Sequence, residues 1–379
     1  MITISPDTKR QKLATRYALI RRWLVAIQII LVLAIFLILV FVDISPVLHM
    51  LAPVDQPWAS AVYFIELIIA LNILMLPLMY YEGFVLPHRF NLSTQSLRSW
   101  ITDSIKASAL ILLVGEVILI VIYTLLLHVP NVWWLWASML VLAVSVLVSM
   151  LTPTAIIPLF YGIKPLNDEG LKKRLSALAT KAQTRVSNVY TMNVSSKSTT
   201  ANAMLAGIGR TRRIILTDTL LDNYSPDEIE AVLAHELGHN IHRDIPKLLA
   251  INAFIIVAGF GMADIMLRAC VIPLGYTGIA DVRGMPLMIL MFGAFSFFIS
   301  PALNAISRGM EMNADITALE LTRNPQAFIS AMTKLTDQNL SEAQPNRIFE
   351  VLFHDHPAYI RRVELAQHFI QKDEKEMHH

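Results

Sequence analysis

The chain has 379 residues, of which 55% are hydrophobic and only 16% charged, with a net charge of +2. A soluble domain carries about 25% charge, so this balance points to a membrane protein, and the small net charge gives no sign of a nucleic-acid partner. The single cysteine, Cys270, excludes internal disulfides, a cysteine-based zinc site and C-x-x-C redox chemistry.

Residues 1–22 are basic, with Lys9, Arg10, Lys12, Arg16, Arg21 and Arg22 against Asp7. The apolar run 23–42 follows, long enough for an uncleaved membrane span. Five more spans are predicted at 59–81, 107–127, 132–158, 246–267 and 286–306. The fourth contains Pro153 and Pro158, which predicts a kinked or re-entrant end. Loop 43–58 has no Lys or Arg, whereas loop 82–106 carries Arg89, Arg98 and Lys106. The positive-inside rule therefore expects the N-terminus, loop 82–106, segment 160–245 and the C-terminus in the cytoplasm. Glu66, Glu116 and Asp264 fall inside spans, and Arg268 lies one turn after Asp264 as its expected ion-pair partner.

The polar segment begins with an amphipathic helix over 168–183. Strand-like runs follow at 189–193, 201–206 and 213–217, the last two flanking Gly207-Ile208-Gly209-Arg210, which reads as a hairpin turn. Ser225-Pro226-Asp227-Glu228 then carries an N-cap, a proline at N1 and a capping-box glutamate. The helix it starts is expected to run to about Asp244 and contains His235-Glu236-Leu237-Gly238-His239. Residues four apart share a helical face, so His235 and His239 can address one zinc ion. Glu236 is placed to take a proton from a zinc-acidified water and return it to the leaving amine of a peptide.

Zinc needs a third protein ligand. One class of H-E-x-x-H enzymes takes it from a histidine ten residues after the first, a position held here by Ile245, so that class is ruled out. Glu311 in Ser307-Arg308-Gly309-Met310-Glu311-Met312-Asn313-Ala314-Asp315 is the remaining source. Asp315, one turn on, can accept the N–H of a ligating histidine. His239 lies seven residues before Pro246, roughly 10 Å along a helix, so both metal-bearing helices read as extensions of adjacent spans. His356-Pro357-Ala358-Tyr359-Ile360-Arg361-Arg362 is a candidate source of a group to steady the oxyanion, and reads almost as well as a capped surface helix.

These motifs, with Asn202-Ala203 ahead of Arg213–Leu221 and the loop Arg89-Phe90-Asn91-Leu92-Ser93-Thr94-Gln95, together resemble the type I CAAX prenyl endopeptidases. The resemblance covers about residues 60–365. It implies a predominantly α, polytopic helical membrane protein with a small α+β cytoplasmic catalytic domain of the gluzincin type. It implies one Zn²⁺ per chain held by His235, His239 and Glu311, with Glu236 as base, and makes His356 and Arg362 transition-state or substrate contacts. It places Asn202 and Ala203 on an edge strand that receives the peptide backbone, and it encloses the site in a chamber among the membrane helices.

The expected division is a membrane domain over 1–160, a catalytic segment over 161–245, two spans over 246–306, and a cytoplasmic tail over 307–379 that completes the zinc site. The expected substrates are peptides or proteins that are membrane-associated or prenylated. The family usually has seven spans, five of them before the catalytic segment, whereas six are drawn here, with four before it. A heat-shock membrane protease family, without prenyl specificity, shares the zinc motifs with fewer spans; the loop around Asn91 argues against it. A non-catalytic chamber or transporter with structural zinc is disfavoured by the intact Glu236, because a structural site needs no base.

Overall fold

The structure, a computed structural model, describes residues 5–42, 57–207, 209 and 212–377. Most of the Lys- and Arg-free loop 43–58, and part of the 207–210 turn, lie outside the described residues. Helix α1 spans Thr8–Phe41, capped by Asp7, whose side chain accepts from the Lys9 and Arg10 amides. Helix α2, Pro57–Tyr80, continues through a π-helical turn at Tyr81–Val85 into Leu86–Arg89. Helix α3 is Leu97–His128. Helix α4, Trp133–Leu151, passes through a second π-helical turn at Thr152–Ile156 before a last turn, Ile157–Phe160. Pro153 and Pro158 remove amide donors at this point, so the irregular end expected of the fourth span is present.

The polar segment opens with β1, Ile163–Pro165, too short and proline-bearing to leave a strand pattern. Helix α5, Glu169–Lys181, is capped by Asp168 and buries Leu171, Leu175 and Leu178 on one face. Strands β2 (Asn188–Met192), β3 (Ala203–Ala206) and β4 (Arg213–Thr217) complete a sheet in the order β1-β2-β4-β3. Strands β3 and β4 pair antiparallel, with Ala206 opposite Arg213, so the expected hairpin forms. Gly207 and Gly209 sit there at φ 94° and 57°, values that favour glycine.

Helix α6, Asp218–Asn223, leads to α7, Pro226–Ile241, which carries the full capping box: Glu228 N–H donates to Ser225 Oγ, and Ser225 N–H to Glu228 Oε2 at 2.7 Å. Helix α8 spans Asp244–Val271 and α9 spans Met285–Thr322. Helices α10 (Pro325–Gln338), α11 (Arg347–Phe353) and α12 (Tyr359–Met377) close the chain.

Among the described residues, six helices are long and apolar enough to cross a membrane, which agrees with the six spans drawn from the sequence. They pack around Trp133, Tyr123, Leu126, Phe260 and Met285. Asp264 pairs with Arg268 as expected, and it also accepts from the Trp133 indole, tying α8 to α4. Both carboxylate oxygens of Glu116 are buried without a protein partner among the described residues. The catalytic segment has its own core, built from α5, one face of the sheet, α7, the end of α9, α10 and α12.

One expectation is corrected. The motif helix does not run on to Asp244 as an extension of the fifth span. It stops at Ile241, and Arg243 adopts left-handed geometry at φ 55° before α8 begins. The third-ligand helix does behave as expected, since α9 continues unbroken from the sixth span through Glu311 and Asp315.

Candidate active site

The site forms where α7 crosses α9. The approach is close because Gly238 has no side chain: a Cβ there would stand 2.8 Å from the Ala314 Cα and 3.0 Å from its carbonyl oxygen. Ala314 is itself small and fully buried, so the two backbones nearly touch. This contact carries Glu311, one turn before Asp315, to the face of α7 that bears both histidines.

Three donor atoms converge there. His235 Nε2 lies 3.3 Å from His239 Nε2 and 3.2 Å from Glu311 Oε2, and His239 Nε2 lies 3.4 Å from Glu311 Oε1. Ligand atoms about 2.0–2.1 Å from a tetrahedral metal stand about 3.3–3.4 Å from one another, so the spacing fits a bound ion. Glu311 Oε2 is buried and makes no hydrogen bond of acceptable geometry despite its close nitrogen neighbour. Donor atoms aimed at a shared point, not at each other, produce that pattern. Among the described residues this is the one cluster of three or more His, Cys, Asp or Glu side chains able to hold an ion.

Each histidine is oriented from behind. His235 Nδ1 donates to Asp315 Oδ1 at 2.8 Å, and Asp315 is fully buried. Asp315 in turn accepts from Arg362 through both oxygens, with Nε to Oδ2 at 2.7 Å. His239 Nδ1 donates to Asp244 Oδ2 at 3.0 Å. This second carboxylate was not foreseen. Its only sequence signal is an aspartate five residues after a ligand-type histidine, and it reaches back only because the helix breaks at Arg243. His242 secures the break, its Nε2 lying 2.8 Å from Thr317 Oγ1 on α9.

Burial lowers the affinity of His235 for a proton, but its hydrogen bond to Asp315 and the adjacent Glu311 carboxylate prevail and push the pKa up to about 9. Burial raises the Glu236 carboxyl above its ordinary value, with the nearby histidines pulling the other way. A carboxylate whose pKa is raised is a stronger base toward a water proton. His356 stands with Nε2 3.3 Å from Glu311 Oε1, and its hydrogen bond to Asp355 raises its pKa. Arg362 is half-buried behind His235, its guanidinium committed to Asp315.

Strand β3 packs against α7 and is the sheet edge on that side. Asn202 immediately precedes it, and its Oδ1 accepts the Ala203 amide at 2.9 Å. The structure thus gathers His235, Glu236, His239, Glu311, Asp315, His356 and Arg362 into one centre and sets Asn202 and Ala203 on the neighbouring edge.

Family models match in two blocks: peptidase family M48 over residues 165–370, and the CAAX prenyl protease N-terminal module, described as five membrane helices, over 5–162. Among the described residues of the latter range four helices are long enough to span a membrane. A Bacillus subtilis (strain 168) metalloprotease, YhfN, is 29% identical over 75% of this chain and 68% of its own length. CAAX prenyl protease 1 of Saccharomyces cerevisiae is 28% identical over 86% and 75%. The crystal structure of S. mikatae Ste24p superposes with a TM-score of 0.83 at 25% identity, covering 96% of this chain and 92% of that one. With more than half its length in one family model, the chain belongs to peptidase family M48 and is a membrane metalloendopeptidase of the CAAX prenyl protease type.

Proposed function

We propose that the metal is one zinc ion, held by His235, His239 and Glu311, and that the chain uses it to hydrolyse peptide bonds in membrane-associated or prenylated substrates. The observation that carries this is the convergence of three ligand atoms beside Glu236, a glutamate of raised pKa on the same helix as both histidines. Bound there, zinc supplies a Lewis acid that increases the acidity of water and polarises a carbonyl. Glu236 accepts the proton of the attacking water and passes it to the leaving amine nitrogen. Asp315 and Asp244 hold the two imidazoles with Nε2 forward, and Arg362 locks Asp315. His356, whose pKa is raised by its hydrogen bond to Asp355, donates toward charge developing on the substrate oxygen. The β3 edge that carries Asn202 and Ala203 receives the substrate backbone.

Segment 161–245 and tail 307–379 together form the catalytic part, joined through spans 246–306 to the membrane domain 1–160. The catalytic part and both termini face the cytoplasm, and the lipid bilayer surrounds the spans. The relatives named CAAX prenyl protease 1 support a prenylated C-terminal CAAX peptide as substrate. The test compares the wild type with Glu236→Gln in detergent on quenched prenylated and unprenylated peptides. The variant is expected to lose at least about 10²-fold in kcat. Equal activity in the two enzymes would sink the mechanism, and equal cleavage of the two peptides would remove prenyl recognition in favour of general turnover of membrane proteins.

A further inference from the structure

In an antiparallel pair, successive residues turn their backbone groups alternately toward the partner strand and away from it. Thr217 N–H donates to the Asn202 carbonyl at 3.0 Å, and Asn202 N–H donates to Thr217 Oγ1 at 3.0 Å. Residues 202, 204 and 206 therefore face β4, while Ala201, Ala203 and Leu205 face the free edge.

That edge is filled over part of its length. Upstream, the loop between α2 and α3 lies against residues 195–199, with Thr94 N–H donating to the Lys197 carbonyl at 3.2 Å and Thr199 N–H to the Leu92 carbonyl at 3.1 Å. The Thr199 carbonyl accepts from Gln338 Nε2 at 2.7 Å. At Ala201 the Asn339 carboxamide makes both bonds of a neighbouring strand: Oδ1 accepts the Ala201 N–H at 3.0 Å, and Nδ2 donates to the Ala201 carbonyl at 3.1 Å. Beyond that point, among the described residues, Ala203 N–H donates to the Asn202 side chain alone.

Asn339 is firmly seated. Its own N–H caps α10 by donating to the Leu335 carbonyl at 2.9 Å. Helix α1 grips the preceding residues: Arg10 Nε and Nη2 donate to the Asp337 carbonyl at 3.0 and 2.7 Å, and Asp7 N–H donates to Asp337 Oδ2 at 2.8 Å.

We infer that Asn339 is a register stop for the substrate. Its carboxamide occupies the place where the next peptide unit of an added strand would pair, and it confines the substrate to the outward positions Ala203 and Leu205. Those positions span about 7 Å, so a substrate chain ends or bends away from the edge at Asn339. The inference rests on the reading that the β3 edge receives the substrate.

The test uses the full chain in detergent and a quenched peptide that it cleaves, lengthened one residue at a time on either side of the scissile bond. In the wild type, kcat/KM is expected to fall about tenfold when the ladder passes the stop on one side only. Asn339→Ala is expected to lift that fall and leave the shortest peptide unaffected. Asn339→Asp, which keeps an acceptor for the Ala201 amide, is expected to retain the limit. A flat ladder in the wild type overturns the inference without recourse to any variant. So does an Asn339→Ala ladder that falls like the wild type's, or drops equally at every length. Single backbone N-methylations of the peptide separate the two readings. If no position is sensitive, the edge itself does not bind substrate; if one is sensitive but the ladder ignores Asn339→Ala, only the stop fails.

Discussion

Asp315 and Asp244 decide which nitrogen of each histidine faces the metal position. The first could be read from sequence, because Glu311 and Asp315 share a helical face. The second could not, because nothing in a linear motif says that the chain doubles back at Arg243. Asp244→Ala should weaken metal affinity about 10–100-fold, measured by competition with a chromophoric chelator, and an unchanged affinity would remove Asp244 from the site. The His235 proton gives a pH dependence. With its pKa pushed up to about 9, the metal-free site carries that proton at neutral pH, so an incoming ion must displace it. Apparent metal affinity should fall about tenfold per pH unit as pH drops below about 9, and a pH-independent affinity would contradict this. The same raised pKa stabilises the metal-free fold fully below the ordinary histidine value of 6.5, a contribution lost as pH rises through about 9.

Two helices set the geometry of the centre, and their contact at Gly238 leaves no room for a side chain. The spacing of the motif gives no reason for a glycine at 238. Its reason is visible only against Ala314, where an added methyl would meet backbone at 2.8 Å. Gly238→Ala should therefore push α7 and α9 apart, destabilise the fold by about 1–3 kcal/mol and reduce metal binding more than a surface Gly→Ala change does. Thermal melting with metal titration checks it, and a variant with native affinity would show that the contact is not what positions Glu311. The corrected end of α7 belongs here too. Helical periodicity continues across residues 241–245, so pattern alone extends the helix, whereas the bonds His239–Asp244 and His242–Thr317 favour the break.

Across the whole molecule, the N-terminal end of α1 is bonded to the tail through Asp7, Arg10 and Gln11 against Asp337 and Ser341, with Arg22 paired to Glu342. The start of α1 and the segment Asp337–Glu342 thus lie side by side. The proposed cytoplasmic placement of the N-terminus, which rests on the basic cluster Lys9, Arg10, Lys12, Arg16, Arg21 and Arg22, therefore carries Asp337–Glu342 with it. Reporter fusions at either terminus should both behave as cytoplasmic, and a reporter in loop 272–281 as exported; opposite signals from the two termini would refute the topology.

Sequence by itself determined the elements whose causes are local or periodic. Apolar runs of membrane length gave the spans, Ser225 to Glu228 the start of α7, and i,i+4 spacing the shared faces of His235 with His239 and of Glu311 with Asp315. Tertiary structure alone decided what depends on pairs distant in the chain. Those are the Gly238–Ala314 contact, the return of Asp244 to His239, the commitment of Arg362 to Asp315, and the Asn339 carboxamide on the edge at Ala201. The reason is physical: a helix or cap is specified by neighbours within a turn or two, whereas the packing of two elements is specified by shapes and donors that meet only once the chain has folded.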